Sequence, residues 1–164
     1  MKTLLLIRHA KSDWADSSLP DFDRPLNSRG VHDAPMMAEM VASKGITPDL
    51  IISSPAERAY RTAVLFSEEY NYPHDLIEQQ RTLYTSSIRD ILDMITKIED
   101  KRNTVFIFGH NPEITYTAAY LSNNKISEMS TCAVACIDFD VKSWTKINPK
   151  KAKLRFYEYP KHLK

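Results

Sequence analysis

The chain has 164 residues, 43% hydrophobic and 26% charged, the balance of one soluble globular domain over residues 1–164. A formal net charge of +1 supplies no field that would gather nucleic acid or a membrane surface. Only 3 glycines occur, and neither G-x-x-x-x-G-K-[ST] nor G-x-G-x-x-G is present, so a bound phosphate must be held by side chains and helix N-termini.

Leu4-Leu5-Leu6-Ile7 is a short apolar run that reads as a buried strand. Polarity changes at once with Arg8, His9, Lys11, Ser12 and Asp13. Arg8 cuts the run short of the ~7–15 apolar residues of a secretory leader. No stretch approaches the ~20 apolar residues of a membrane span. Asp13 to Arg29, with Pro20 and Pro25, reads as a loop of a length that is usually functional. Gly30 to Lys44 carries Val31, Ala34, Ala38 and Val41 at helical spacing, and Gly45 is placed to stop that helix.

Asp49 to Ser53 reads as a second strand, with Ser54 as N-cap and Pro55 in the first turn of a helix through Tyr70. Leu76-Ile77 begins a weaker third strand. Ile88, Ile91, Leu92, Ile95 and Ile98 form the apolar stripe of a helix. Thr104 to Phe108 is the strongest strand and runs into Gly109-His110-Asn111-Pro112, with Asn111 as N-cap and Pro112 as first helical residue. Val134 to Phe139 and Leu154 to Tyr159 are closing strands placed to pair antiparallel. The basic C-terminal segment between Lys142 and Lys164 reads as a solvated sheet edge protected by lysines. Cys132 and Cys136 lack C-x-x-C spacing and read as buried free thiols, which together with the absent leader predicts a cytoplasmic protein. The alternation of strand and helix predicts an α/β fold with a mostly parallel central sheet and helices on both faces.

Three segments share one grammar of buried strand, polar turn and helix or loop. They deliver Arg8 and His9, then Ser53, Ser54 and Arg58, then His110 and Asn111. If the strands are parallel neighbours, these groups meet at the carboxyl edge of the sheet, where α/β proteins bind ligands. Two guanidinium groups, two imidazoles and helix N-termini suit a dianionic tetrahedral oxyanion. Ser12 and Arg24 are further candidates for contact with the substrate. No carboxylate cluster of the kind that holds magnesium is apparent, so neither metal nor cofactor is expected. An unprotonated imidazole is a competent nucleophile toward phosphorus, and the neighbouring arginines disfavour its charged form. The predicted reaction is attack by His9, a phosphohistidine intermediate on the enzyme, and hydrolysis, with Arg8, Arg58 and His110 on the phosphoryl oxygens.

The run Leu6-Ile7-Arg8-His9-Ala10 resembles the "RHG" signature of the histidine phosphatase superfamily, relatives of the phosphoglycerate mutases. The resemblance is narrower still to the bacterial phosphohistidine phosphatases of the SixA type. It extends through Lys11 to Trp14, Asp23-Arg24-Pro25-Leu26 with Arg29-Gly30, Ser53-Ser54-Pro55 with Arg58 and Thr62, and Gly109 to Pro112. It implies His9 as the phosphorylated nucleophile, Arg8, Arg58 and His110 on the phosphoryl group, and a three-layer α/β/α fold with one antiparallel strand.

Two departures stand out. Ala10 replaces the usual Gly, a change of one methyl group. The inserted region after the third strand, where many relatives carry a carboxylic general acid, is missing, and Glu78 is the only carboxylate near that position. Without an acid, substrates with an easily departing group are favoured, and a phosphoramidate such as phosphohistidine fits. The expected partner is a phosphohistidine-bearing protein or a small phosphorylated molecule. A small-molecule phosphomonoesterase with the same site, or a phosphoprotein-binding module without turnover, stay open at this point.

Overall fold

The computed structural model describes residues 1–164. Lys2–Arg8 forms β1, and Leu4, Leu5, Leu6 and Ile7 within it are fully buried. A strand apolar on both faces is stable only in a sheet covered on both sides. It lies between β4 (Thr104–Gly109), which is parallel to it, and β5 (Val134–Phe139), which is antiparallel. β2 (Leu50–Ser53) runs parallel on the far side of β4, and the two-residue strand β3 (Glu78–Gln79) extends that edge. β6 (Ala152–Glu158) pairs antiparallel with β5 and closes the other edge. The six-stranded order β3-β2-β4-β1-β5-β6 therefore contains one reversed strand, β5.

The two faces of β1 feed two cores. Leu5 and Ile7 pack with Ile51, Phe106 and Phe108 beneath α1 (Ser28–Ser43) and α2 (Glu57–Glu69), which contribute Met37, Val41, Ala63 and Phe66. Leu4 and Leu6 pack with Ile52, Val105 and Ile107 on the opposite face. There the short helix α3 (Thr82–Thr85) leads into α4 (Ile88–Thr96), and α5 (Glu113–Leu121) lies alongside. Ile91, Ile95, Ile114, Ala118 and Leu121 complete this core. Full burial of each Leu or Ile stabilises the fold by about 1.5–3 kcal/mol. The result is the three-layer α/β/α arrangement expected from the sequence.

Local differences have local causes. α1 starts at Ser28, ahead of Gly30, because the Asn27 side chain accepts from the Gly30 N–H at 2.9 Å and caps it. Gly30 is required for another reason: a Cβ there would collide with the Lys11 carbonyl oxygen, so the helix start sits hard against the turn after β1. Gly45 adopts φ 77° just beyond α1, the left-handed stop expected of it. The third strand forms at Glu78–Gln79, beyond Leu76-Ile77, which belong to a 3-10 turn and its cap. α2 begins at Glu57 and α5 at Glu113, and neither has a side-chain cap. Ser54 and Asn111, expected as N-caps, are engaged elsewhere.

Candidate active site

β2, β4 and β1 are contiguous and parallel, so their carboxyl ends open at one edge. Arg8 ends β1, and its Nη1 donates to the Met129 carbonyl oxygen at 3.0 Å. His9 follows, 6% exposed, with its N–H bonded to the Gly109 carbonyl at the end of β4. The Cys132 N–H donates to both the Arg8 and His9 carbonyl oxygens at 3.0 Å. Cys132 makes this contact with φ 62°, a left-handed backbone held by the segment entering β5.

The orientation of the His9 ring is set by its own chain. Nδ1 lies 2.7 Å from the Ala10 carbonyl oxygen. A carbonyl can only accept, so Nδ1 carries the proton and Nε2 keeps a lone pair. The Ala10 N–H donates to Thr62 Oγ1 at 3.0 Å, and the Thr62 hydroxyl donates to the Arg58 carbonyl at 2.7 Å. α2, which carries Arg58, is thereby tied to the turn that carries His9.

His110 stands 5.2 Å from His9, ring centroid to ring centroid. Its Nε2 is 2.8 Å from Ser54 Oγ, which also accepts from the Ala56 N–H. The Ser54 hydroxyl can donate to Nε2, which leaves the ring proton on Nδ1. Burial pushes both imidazoles down to about 3, and for His9 the nearby His110, Arg58 and Arg8 add to the effect. For His110 the arginines 58, 24 and 8 act in the same direction, with Asp21 partly opposing them. Both rings are therefore neutral at neutral pH, which the sequence argument required of His9.

The loop between β1 and α1 supplies a carboxylate that the sequence did not single out. Asp21 begins a 3-10 turn, Asp21–Asp23. Its carbonyl accepts from Arg58 Nη1 at 2.8 Å, and its carboxylate accepts from Arg58 Nη2 at 3.1 Å, Arg24 Nη2 at 3.0 Å and the Tyr84 hydroxyl at 2.8 Å. Burial works to raise the Asp21 carboxyl, yet the bonds from Tyr84, Arg24 and Arg58 hold it well below the usual carboxylate range. No other carboxylate bonds to Arg8, His9, Arg24, Arg58 or His110. Ser12 is buried and its hydroxyl accepts from Arg24 Nη1, so these two predicted contacts brace one another. Tyr84 packs edge-on against His110 and forms a wall. Trp14, by contrast, is 70% exposed and lies over the Arg24 guanidinium. Glu78 is elsewhere, lining a separate cleft of about 380 Å³ with Asp90 and Asp93.

Four buried side-chain atoms here have no hydrogen-bond partner: Arg8 Nε, Arg24 Nε, Arg58 Nε and His110 Nδ1. Buried polar groups are normally paired. Donors left open together on three guanidinium groups and one imidazole match a ligand with several acceptor oxygens and negative charge.

The profile of the histidine phosphatase superfamily (branch 1) matches residues 4–83. An uncharacterized chloroplastic protein of Arabidopsis thaliana is 30% identical over 151 residues, covering 87% of this chain and 69% of its own length. The chain belongs to the histidine phosphatase superfamily. Among histidine phosphatases of known structure, the protein histidine phosphatase SixA complexed with tungstate has a TM-score of 0.84 at 21% identity, covering 99% of each chain. The SixA-type protein of Agrobacterium tumefaciens gives 0.80 at 28% identity, covering 97% of this chain and 99% of its own. Phosphoglycerate mutase 1 of Saccharomyces cerevisiae is 25% identical over 122 residues, 73% of this chain and 47% of the mutase. The phosphoglycerate mutase-like fold and the SixA type follow from these likenesses.

Proposed function

We propose that this histidine phosphatase hydrolyses phosphohistidine carried on a protein, through a phosphoryl group held on His9. The observation that carries the reading is the His9 ring, fixed with Nε2 unprotonated among four unpaired donors. In the first step Nε2 attacks phosphorus in line as the bond from phosphorus to the substrate imidazole breaks. Arg8, Arg24 and Arg58 hold the equatorial oxygens with His110, a fixed set of donors that needs no rearrangement as charge develops. The departing imidazole nitrogen is basic and takes a proton from water. In the second step water attacks phosphorus, the His9 Nε2–phosphorus bond breaks, and inorganic phosphate leaves.

Asp21 supports this substrate class. It is the carboxylate bonded to the site, and its three partners keep it ionised at neutral pH, so it has no proton to give. An alkyl ester needs such a proton to expel its alkoxide, whereas a phosphoramidate leaves as an amine that solvent can protonate. The likeness to SixA-type proteins and to a tungstate complex supports the same reading, tungstate being a tetrahedral dianion.

The experiment compares turnover of a phosphohistidine protein and of an alkyl phosphate such as glycerol phosphate, in EDTA. Strong preference for the phosphohistidine is expected, together with an acid-labile phosphoryl group trapped on the wild type and absent from His9→Ala. Preference for the ester would reveal an acid elsewhere and overturn the assignment of substrate.

A further inference from the structure

Trp14 is the most exposed of the large apolar side chains, at 70%, and it is nevertheless anchored. The Arg24 guanidinium carbon lies 3.5 Å from the centroid of its ring, within cation–π range. Arg24 itself is buried, so the indole covers its outer side and presents the other face to solvent. Arg24 connects inward through Asp21 to Arg58 and through Ser12 to the turn after His9. The indole is thus a fixed apolar ledge one side chain away from the phosphoryl site. Leu19, on the same loop, is also exposed.

His9 is almost inaccessible at the bottom of this arrangement, at 6% exposure. A phosphohistidine on a folded protein reaches it only if the carrier's own surface comes to rest on the rim. A rim aromatic that is already immobilised loses little side-chain freedom on contact. Trp and Arg are the side chains most often found to dominate such contacts. Free phosphohistidine carries no neighbouring side chain to rest on the ledge.

We infer that Trp14, stacked on Arg24, is the docking ledge for the phosphohistidine-bearing protein and takes an apolar side chain of the carrier beside its phosphorylated histidine. The inference rests on the substrate proposed above. It does not require Trp14 for chemistry, because Arg24 is held independently by Ser12 and Asp21.

The test uses two substrates, a phosphohistidine protein and free phosphohistidine, with the wild type, Trp14→Ala and Trp14→Phe. For Trp14→Ala, kcat/KM on the phosphoprotein should fall about tenfold, mostly through KM, as expected on truncating an interface anchor. On free phosphohistidine it should stay within about twofold, and Trp14→Phe should keep most of the wild-type value on both. An independent reading comes from fluorescence, because the other tryptophan, Trp144, is fully buried. Phosphoprotein added to the His9→Ala variant should shift the emission of the exposed indole to the blue.

Equal losses on both substrates would make Trp14 a support for Arg24, and no loss on either would make it a bystander. Each result overturns the docking role, as does an unchanged emission spectrum. If the wild type turns over neither phosphohistidine, the substrate proposal fails first and the ledge falls with it. If the wild type turns over both and Trp14→Ala treats them alike, the ledge alone fails.

Discussion

Replacing Asp21 by Asn keeps the shape of the side chain and removes its charge. Three donors converge on the carboxylate: Arg58 Nη2, Arg24 Nη2 and the Tyr84 hydroxyl. An amide can accept from one side but turns its NH2 toward a guanidinium on the other. Charge-assisted bonds of this kind contribute about 1.5–3 kcal/mol each when buried. The Asp21 side chain is 52% exposed, however, and solvent screening brings exposed ion pairs down to about 0.2–1 kcal/mol each. For the knot as a whole we expect a loss of roughly 1–2 kcal/mol, about 2–8 °C in Tm for a chain of this size.

The effect on rate should be larger than the effect on stability, because Asp21 orients Arg58 and Arg24 toward the same oxyanion. A misplaced donor costs about 10–10²-fold in kcat/KM, less than deleting Arg58 outright. The pH dependence gives a second handle. The folded Asp21 carboxyl lies below its unfolded value, so the unfolded chain binds the proton first as pH falls. Its stabilisation is complete above the ordinary carboxylate pKa of about 3.9 and is lost as pH falls toward the folded value. Urea melts of wild type and Asp21→Asn should thus differ by a constant amount above about pH 5 and converge at more acid pH. Steady-state kinetics on p-nitrophenyl phosphate or a phosphoramidate would check the rate. An Asp21→Asn enzyme within twofold of wild type would refute the claim that this carboxylate aligns the arginines.

Further outcomes follow from the same geometry. His9→Ala should abolish turnover while phosphate binding, followed by calorimetry, persists through the arginines. Arg58→Ala should lower kcat/KM by about 10²–10³, the cost of one transition-state donor. His9 and His110 are pushed down to about 3 in the folded, ligand-free protein, so neither should titrate between about pH 5 and 8 in the profile of kcat/KM. The same depression means that the unfolded chain takes up protons below the ordinary histidine pKa of about 6.5 while the folded one does not. Denaturant melts should show stability declining from about pH 6.5 toward the folded values near 3. Ser54→Ala should lower turnover by removing the hydroxyl bonded to His110, and should cost about 1–3 kcal/mol in denaturant melts because His110 Nε2 and the Ala56 N–H lose their buried partner.

The parts of this molecule legible from sequence are those fixed by strands. Leu4 to Ile7 and Thr104 to Phe108 are apolar runs whose burial leaves no choice, and each ends in a histidine that the parallel sheet carries to one edge. Arg58 was accessible because α2 follows β2 directly. Asp21 was not, since a carboxylate in a polar loop shows no periodicity, and only the folded loop brings it to Arg58. Ser54 and Asn111 misled for a shared reason. Both have the chemistry of an N-cap, but Ser54 is taken by His110, and Asn111 donates to the Met129 carbonyl and accepts from Thr115. At a functional edge, side chains that would ordinarily close a helix are diverted to the site. The third strand slipped because an edge pair of two residues, matched to Ile52 and Ser53, carries almost no pattern.

The reversed direction of β5 decides which connecting segments of this enzyme can vary without touching catalysis. Because Val134 lies opposite Ile7, the chain arrives at the reactive edge before entering β5 and leaves at the far end of the sheet. Two residues of the segment ahead of β5 consequently reach the site: the Met129 carbonyl secures both Arg8 and Asn111, and the Cys132 N–H holds the Arg8 and His9 carbonyls. Residues 140–151, joining β5 to β6, turn at the opposite end. An affinity tag or reporter spliced into that turn stays clear of the reaction, whereas lengthening the stretch ahead of β5 rebuilds the pocket and becomes the natural place to engineer a new specificity.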